Sequence, residues 1–403
     1  MIDFSDQRRA NLSIAQGALT NSKRPEIFVK GVYPTHVIRG QGCFLWDTAG
    51  RKYVDYICGL GSNLMGYAHE TITSAVISQM GAGATLSLST VLEMEVAERI
   101  KGLVPFIDAV KFLKTGTEAC MAAIKIARAK TGRRLVLSDG YHGWSDPFVS
   151  LTPPAAGVVP DSESLCVAKL TDFSQITPSV AAVIVEPVVT DWSAERRRYL
   201  EQLRAACDRA GALLIYDEVI TGWRWPSYTV AQAWGVTPDL ICLGKAIGGG
   251  LPLSVVGGKY AVMNGSEYFV SSTFAGDQAA LAAANSVMAL LGGRYSLSRL
   301  WEQGAAFLER FNRLWPDAIK IVGYPTRGAF QGDAGVKALL WQEACRAGIL
   351  LGPSWFYCFP HIDEQEAVLG TLADIMKRIR AGQVELKGEP PRSPFAAQVR
   401  GKA

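Results

Sequence analysis

Short apolar runs recur through the middle of the chain, at Ala109–Leu113, Arg134–Leu137, Ala181–Val185, Ala212–Tyr216, Asp239–Leu243 and Ser254–Gly257. Continuous aliphatic stretches such as Val183-Ile184-Val185 fit strands covered on both faces. Between them, Thr117–Lys130 and Ala194–Ala210 carry the spacing of amphipathic helices. Strand and helix in alternation predict an α/β unit with a mostly parallel central sheet. Ligands in such sheets bind where the strands end at their carboxyl termini. Residues 32–57 alternate in a strand-like way around the turn Asp47-Thr-Ala-Gly50, and beyond Gly292 the helical stretches Ser296–Leu314 and Glu364–Arg380 flank further strands. The pattern predicts a large domain over 57–291. A smaller α+β domain is expected from both termini, 1–56 and 292–385, with 386–403 as a flexible tail.

Composition narrows the class. The 403 residues are 49% hydrophobic and 19% charged, with a formal charge of +4 spread along the chain. That balance is globular and gives no footing to a nucleic-acid or membrane role. No run approaches the 18 apolar residues of a membrane span, and Met1–Ala10 lacks a signal-peptide core. The eight cysteines (Cys43, Cys58, Cys120, Cys166, Cys207, Cys242, Cys345, Cys358) form no CxxC pair and sit mostly in apolar runs. Buried free thiols in a reducing, cytoplasmic compartment are expected. His36, His69, His142 and His361 are dispersed without metal-ligand spacing, so no metal is expected.

The strongest chemical signal is Leu214-Ile-Tyr-Asp217-Glu-Val219 followed by Leu243-Gly-Lys245-Ala246. Each places a charged group just past an apolar strand. Pyridoxal phosphate (PLP) chemistry needs such a pair. A lysine amine forms the Schiff base and moves protons, and a carboxylate keeps the pyridine nitrogen protonated. Alone, either residue also reads as a helix cap or a surface charge. Lys114-Thr-Gly116-Thr117-Glu-Ala119 follows a strand and opens a helix, where backbone N–H groups favour a phosphate dianion. Gly248-Gly-Gly250 lacks the spacing of a nucleotide loop and instead lets the backbone pass close to a ligand. Tyr141, in Tyr141-His142-Gly143, offers an aromatic face for a ring or for loop packing.

Together these segments resemble the class III aminotransferases of PLP fold type I, most closely the glutamate-1-semialdehyde aminomutase-like branch. The resemblance runs from about Pro25 to Ile379. It rests on Trp46-Asp-Thr-Ala-Gly50, Tyr53-Val-Asp55, Thr115-Gly-Thr-Glu-Ala119, Tyr141-His-Gly143, Val185-Glu-Pro187, Asp217-Glu-Val-Ile-Thr-Gly222, Thr237-Pro-Asp239, Leu243-Gly-Lys245, Gly248-Gly-Gly-Leu-Pro252 and Thr273-Phe-Ala-Gly276. It implies Lys245 as the Schiff-base lysine and Asp217 as the pyridinium partner. Val219 and Tyr141 would cover the ring faces, with His142 and Glu186 beside the cofactor. Gly116 and Thr117 would hold the phosphate, joined by Thr273 from a second subunit, which implies a homodimer with shared sites. Arg24, Leu60, Arg224 and Tyr357 fall where the family meets its substrate.

Departures cluster on the substrate side. Leu60 stands where the aminomutases carry Trp, Tyr357 where they carry Glu, and Gly276-Asp277-Gln278 replaces the usual Gly-Asn-Pro. The expected function is therefore amino-group transfer on a small amine, by transamination or by a 1,2-shift, with the true semialdehyde aminomutase disfavoured. Decarboxylation or epimerisation on the same fold is the alternative, and a non-catalytic PLP-binding protein a more distant one.

Overall fold

The structure, a computed structural model, describes residues 5–151, 157–158, 167–265 and 267–392. Cys166 and the end of the anticipated tail lie outside them. The chain divides into two compact units. One holds the described residues up to Leu60, Leu64–His69 and those from Arg299 onward, and the other holds Gly61–Asn63 and Glu70–Ser298.

The first unit contains β1 (Val37–Gln41), β2 (Phe44–Asp47) and β3 (Lys52–Asp55), an antiparallel meander. The Asp47 carboxylate fixes its turn by accepting the amides of Ala49 and Arg51 and the Tyr53 hydroxyl.

The second unit carries β4 (Ala109–Leu113), β5 (Leu135–Asp139), β6 (Val167–Lys169), β7 (Val180–Val185), β8 (Leu213–Glu218), β9 (Leu240–Leu243) and β10 (Ser254–Gly258). They form one sheet in the order β4-β10-β9-β8-β7-β5-β6. Every residue of β7 is buried, as its unbroken apolar run requires. The helix Gly116–Thr131 lies on this sheet through Ala119, Cys120, Ala122, Ala123, Ile124 and Ala127, all nearly or wholly buried beside Ala182, Ile184, Ile215, Cys242 and Val256. Its alanines let helix and sheet approach closely, and burying such an aliphatic face supplies about 25 cal/mol per Å².

One strand departs from the parallel expectation. β10 runs antiparallel to both β4 and β9. The link from Leu243 to Ser254 is too short for the crossover that a parallel return requires, so the chain doubles straight back.

In the first unit β13 (Ile349–Leu350) extends the N-terminal sheet by pairing parallel with β3. β11 (Ile319–Tyr324), β12 (Arg327–Gly332) and β14 (Trp355–Phe356) form a separate sheet. Tyr56, Phe307, Trp355, Tyr357 and His361 stack there in a buried aromatic cluster. Among the described residues no helix is long and apolar enough to cross a membrane.

Glu218, at the end of β8, is wholly buried and serves the fold. Its carboxylate accepts the amides of Val230 and Ala231 and the Thr221 hydroxyl. Burial nevertheless pushes its carboxyl up, from 4.5 to about 7. The native state therefore binds this proton more tightly than the unfolded chain, so the contribution is full below pH 4.5 and declines as pH rises through about 7. Glu218→Gln should flatten the dependence of Tm on pH between 5 and 7, read by thermal melts. An unchanged slope would place the titration elsewhere.

Candidate active site

The carboxyl ends of β4, β7, β8 and β9 open on one cavity of about 360 Å³ in the second unit. Gly116, Thr117, Tyr141, His142, Glu186, Asp217, Val219 and Lys245, which the sequence singled out separately, all line it.

Its anion-binding end is the start of the helix Gly116–Thr131. Thr115 caps that helix by accepting the Glu118 amide, while the Glu118 carboxylate accepts the amides of Lys114 and Thr115. This reciprocal cap leaves the first helical amides, those of Gly116 and Thr117, without intrahelical acceptors. Glycine is required at 116 because a Cβ there would stand 2.8 Å from Val219 Cγ1. Ser254 at the start of β10 donates its hydroxyl to the Thr115 carbonyl at 2.7 Å and fixes the cup to the sheet.

Asp217 is the penultimate residue of β8, its carboxylate buried. Oδ2 accepts from His142 Nδ1 at 2.8 Å and from the Cys120 thiol at 3.3 Å, and Oδ1 accepts the Val219 amide at 3.1 Å. Burial alone would raise this carboxyl. The hydrogen bond and charge of His142, the Val219 amide and the charge of Lys245 outweigh it and hold the group below the ordinary carboxylate range. Burial likewise opposes charge on His142, yet Asp217 and Cys120 drive its pKa up to about 10. The pair is ionised at neutral pH. His142 Nε2 is buried and finds no hydrogen-bond partner among the described residues.

Lys245 opens a short 3-10 turn just past β9 and has a φ of 46°. A side-chain-bearing residue is strained there by about 1–2 kcal/mol, a cost tolerated where the surroundings hold a functional group in place. Gly244 before it is also packed on Val219, whose Cγ1 would meet a Cβ at 3.1 Å. Tyr141 is half exposed, and its amide donates to Glu186 Oε1 at 2.8 Å. Glu186 is itself pinned through its carbonyl by Arg196.

The remaining anticipated residues sit elsewhere. Arg224 is wholly buried in the second unit, donates to the Gly61 carbonyl at 2.7 Å, and is not among the residues lining the cavity. Thr273 is exposed and also does not line it. Arg24, Leu60 and Tyr357 belong to the first unit. There Arg24 donates to Gln16, Leu60 takes a φ of 59°, and Tyr357 is buried with its hydroxyl on Gln365 at 2.8 Å. In the same unit Cys58 gathers with Cys358 and His361, which lie about 300 residues further along the chain. His361 Nε2 lies 3.0 Å from the Asp55 carbonyl and its Nδ1 accepts the Cys358 amide, so its lone pair already serves the backbone. Sequence reasoning gave no site role to Cys120 or to the lining residues Ser62 and Leu251.

The cavity offers one complement for each functional end of PLP. The helix-start amides and threonine hydroxyls suit a phosphate dianion, the Asp217–His142 pair a protonated ring nitrogen, and Lys245 an aldehyde. The space that Gly116 and Gly244 leave for Val219 brings an aliphatic side chain to the same cavity.

Comparison with known proteins agrees. Residues 29–354 match the family model for class-III aminotransferases. The FumI protein of Sphingopyxis sp. MTA144, solved in its PLP internal aldimine form, shares the fold at 24% identity and a TM-score of 0.87, over 96% of this chain and 97% of that one. An omega-transaminase from Sphaerobacter thermophilus is 25% identical, with a TM-score of 0.82 over 93% of this chain and 97% of that one. A β-phenylalanine aminotransferase from Variovorax paradoxus is 25% identical, with a TM-score of 0.80 over 96% of each chain. The chain belongs to the class-III aminotransferases, fold type I enzymes that use PLP to transfer amino groups.

Proposed function

We propose that this enzyme is a transaminase for a small amine bearing an apolar group, with Lys245 as the amine that carries the cofactor. The observation that carries the reading is the convergence of Lys245, the Asp217–His142 pair and the Thr115–Thr117 cup on one cavity. Bound there, PLP supplies an electron sink for the bond that breaks at the substrate carbon. The chain's own groups do the rest. The amides of Gly116 and Thr117 hold the phosphate. Asp217 stays ionised and keeps the ring nitrogen protonated, while His142 fixes its orientation. Tyr141 and Val219, which line the cavity, would flank the ring. Lys245 takes the proton from the carbon bearing the amine and returns it during transfer.

The substrate preference follows from Ile220, Leu251, Pro252 and Leu253, which give the cavity an apolar wall. Relatives named omega-transaminase and β-phenylalanine aminotransferase point the same way. A 1,2-shift of the aminomutase kind would instead return the nitrogen within one molecule. We further propose a homodimer in which Thr273 of one subunit meets the phosphate of the other, with the cytoplasm as its location. The exposed apolar side chains Leu86, Leu88, Val91, Met94, Phe269 and Phe274 support association.

The test is product analysis with ω-amines, β-amino acids and α-amino acids, each with a keto-acid acceptor. The expected result is a carbonyl product from the donor and new amino acid from the acceptor, best for donors with apolar groups. Nitrogen retained in the donor molecule, or carbon dioxide released, would replace transamination with an amino shift or decarboxylation. Sedimentation of the holoenzyme at twice the 43.5 kDa chain mass is expected; a monomer would sink the shared-site reading.

A further inference from the structure

Asp217 lies within an apolar core, where an ionised carboxylate is costly unless donors surround it. Oδ1 takes the Val219 amide, and Oδ2 takes His142 Nδ1 and the Cys120 thiol. Cys120 is 0% exposed and sits in the helix whose first turn forms the anion cup. Cys242 of β9, on the strand that leads to Lys245, lies in the same buried cluster. One side chain thus stands where the cup helix, the Asp217 strand and the Lys245 strand meet.

We infer that Cys120 is a positioning residue for amino transfer, its buried thiol donating to Asp217 Oδ2 and helping hold that carboxylate ionised and aimed into the cavity. The inference rests on the role proposed for Asp217. A thiol suits the place because it is cheap to bury among alanine, isoleucine and valine and still has a proton to give. Burial, Cys242 and the Asp217 charge all push its pKa up, so the thiol keeps that proton. Cys120 touches neither cofactor nor substrate and acts through Asp217.

Two substitutions separate donation from packing. Cys120→Val fills the space and suits the apolar cluster but cannot donate, whereas Cys120→Ser donates but packs less well. On the holoenzyme, Cys120→Val should lower kcat by about three- to tenfold with KM for the amine unchanged, and weaken PLP binding by a similar factor. Those are the factors expected from one lost hydrogen bond of ordinary strength, since a thiol is a weak donor. Cys120→Ser should retain both values within about twofold while melting at a lower temperature. In an Asp217→Asn background, Cys120→Val should add no further loss of kcat. If valine matches wild type, or serine and valine lose kcat and cofactor affinity equally, the thiol only packs and the inference falls. Wild-type protein that binds no PLP at all would instead overturn the function proposed above.

Discussion

Lys245→Ala should lower kcat for amino transfer by about 10⁴-fold or more, because Lys114, the other lysine lining the cavity, is engaged with Asp277 at 2.8 Å. The absorbance band of lysine-bound cofactor, expected at roughly 410–430 nm, should be lost with it. Folding should survive. The strain of the positive φ at Lys245 comes from Cβ, which alanine keeps, so the substitution adds no strain to that turn. The cup and the Asp217–His142 pair remain, so the variant should still bind PLP, now noncovalently and in a form that dialysis removes. Added small amines should restore part of the rate by acting in place of the missing side chain. The measurement is kcat beside the spectrum, with circular dichroism to show the fold intact. A variant that keeps the wild-type band would assign the cofactor to another lysine, and Lys114, which lines the same cavity, is the first to test.

Asp217→Asn should lower kcat by about 10³-fold, since a neutral amide cannot keep the ring nitrogen protonated. The variant preserves shape, so the loss reports charge. It also acts on the protein without cofactor. The pKa of His142 is held at about 10 against burial, with Asp217 as the main opposing influence. Without Asp217 burial wins, and NMR titration should find His142 neutral at pH 7. The sign of the stability change follows. The raised His142 pKa contributes stability below 6.5 that fades as pH climbs through about 10. The lowered Asp217 pKa contributes stability above 3.8 that fades as pH drops through its native value. The pair therefore stabilises the fold across neutral pH, and Asp217→Asn should cost about 3 kcal/mol there, less at either extreme. A His142 that stays cationic at pH 7 in the variant would refute this account of the pair.

Much of this was legible in the amino-acid sequence, for physical reasons that also explain the gaps. β7 is an uninterrupted apolar run because both faces of the central sheet are covered there, and it appears within a residue of where the pattern puts it, while β4, an edge strand interrupted by Lys111, keeps the expected bounds. β6 is a three-residue edge strand, Val167–Lys169, too short to leave a periodic mark. The direction of β10 was invisible because an apolar run looks the same read either way; only the brevity of its link to β9 carries that information. Lys245, Asp217 and the cup were legible because each follows a strand with chemistry that a bland surface does not need. Cys120 was not, since a cysteine among alanines on a helix looks like packing, and its carboxylate partner is 97 positions away. The burial of Arg224 and Tyr357 was likewise not readable from their spacing.

The antiparallel β10 has a consequence for redesign. The stretch from Lys245 to Leu253 is a tight reversal in which the reactive amine, the glycines and the return strand share one short length of backbone. Gly250 there has a φ of 97° and no room for a Cβ, which would meet Asn63 Oδ1 at 2.7 Å. Insertions into this reversal would drag the amine out of register with the rest of the cavity. Ile220 lines the cavity outside this reversal, so a library meant to broaden the range of accepted amines belongs there.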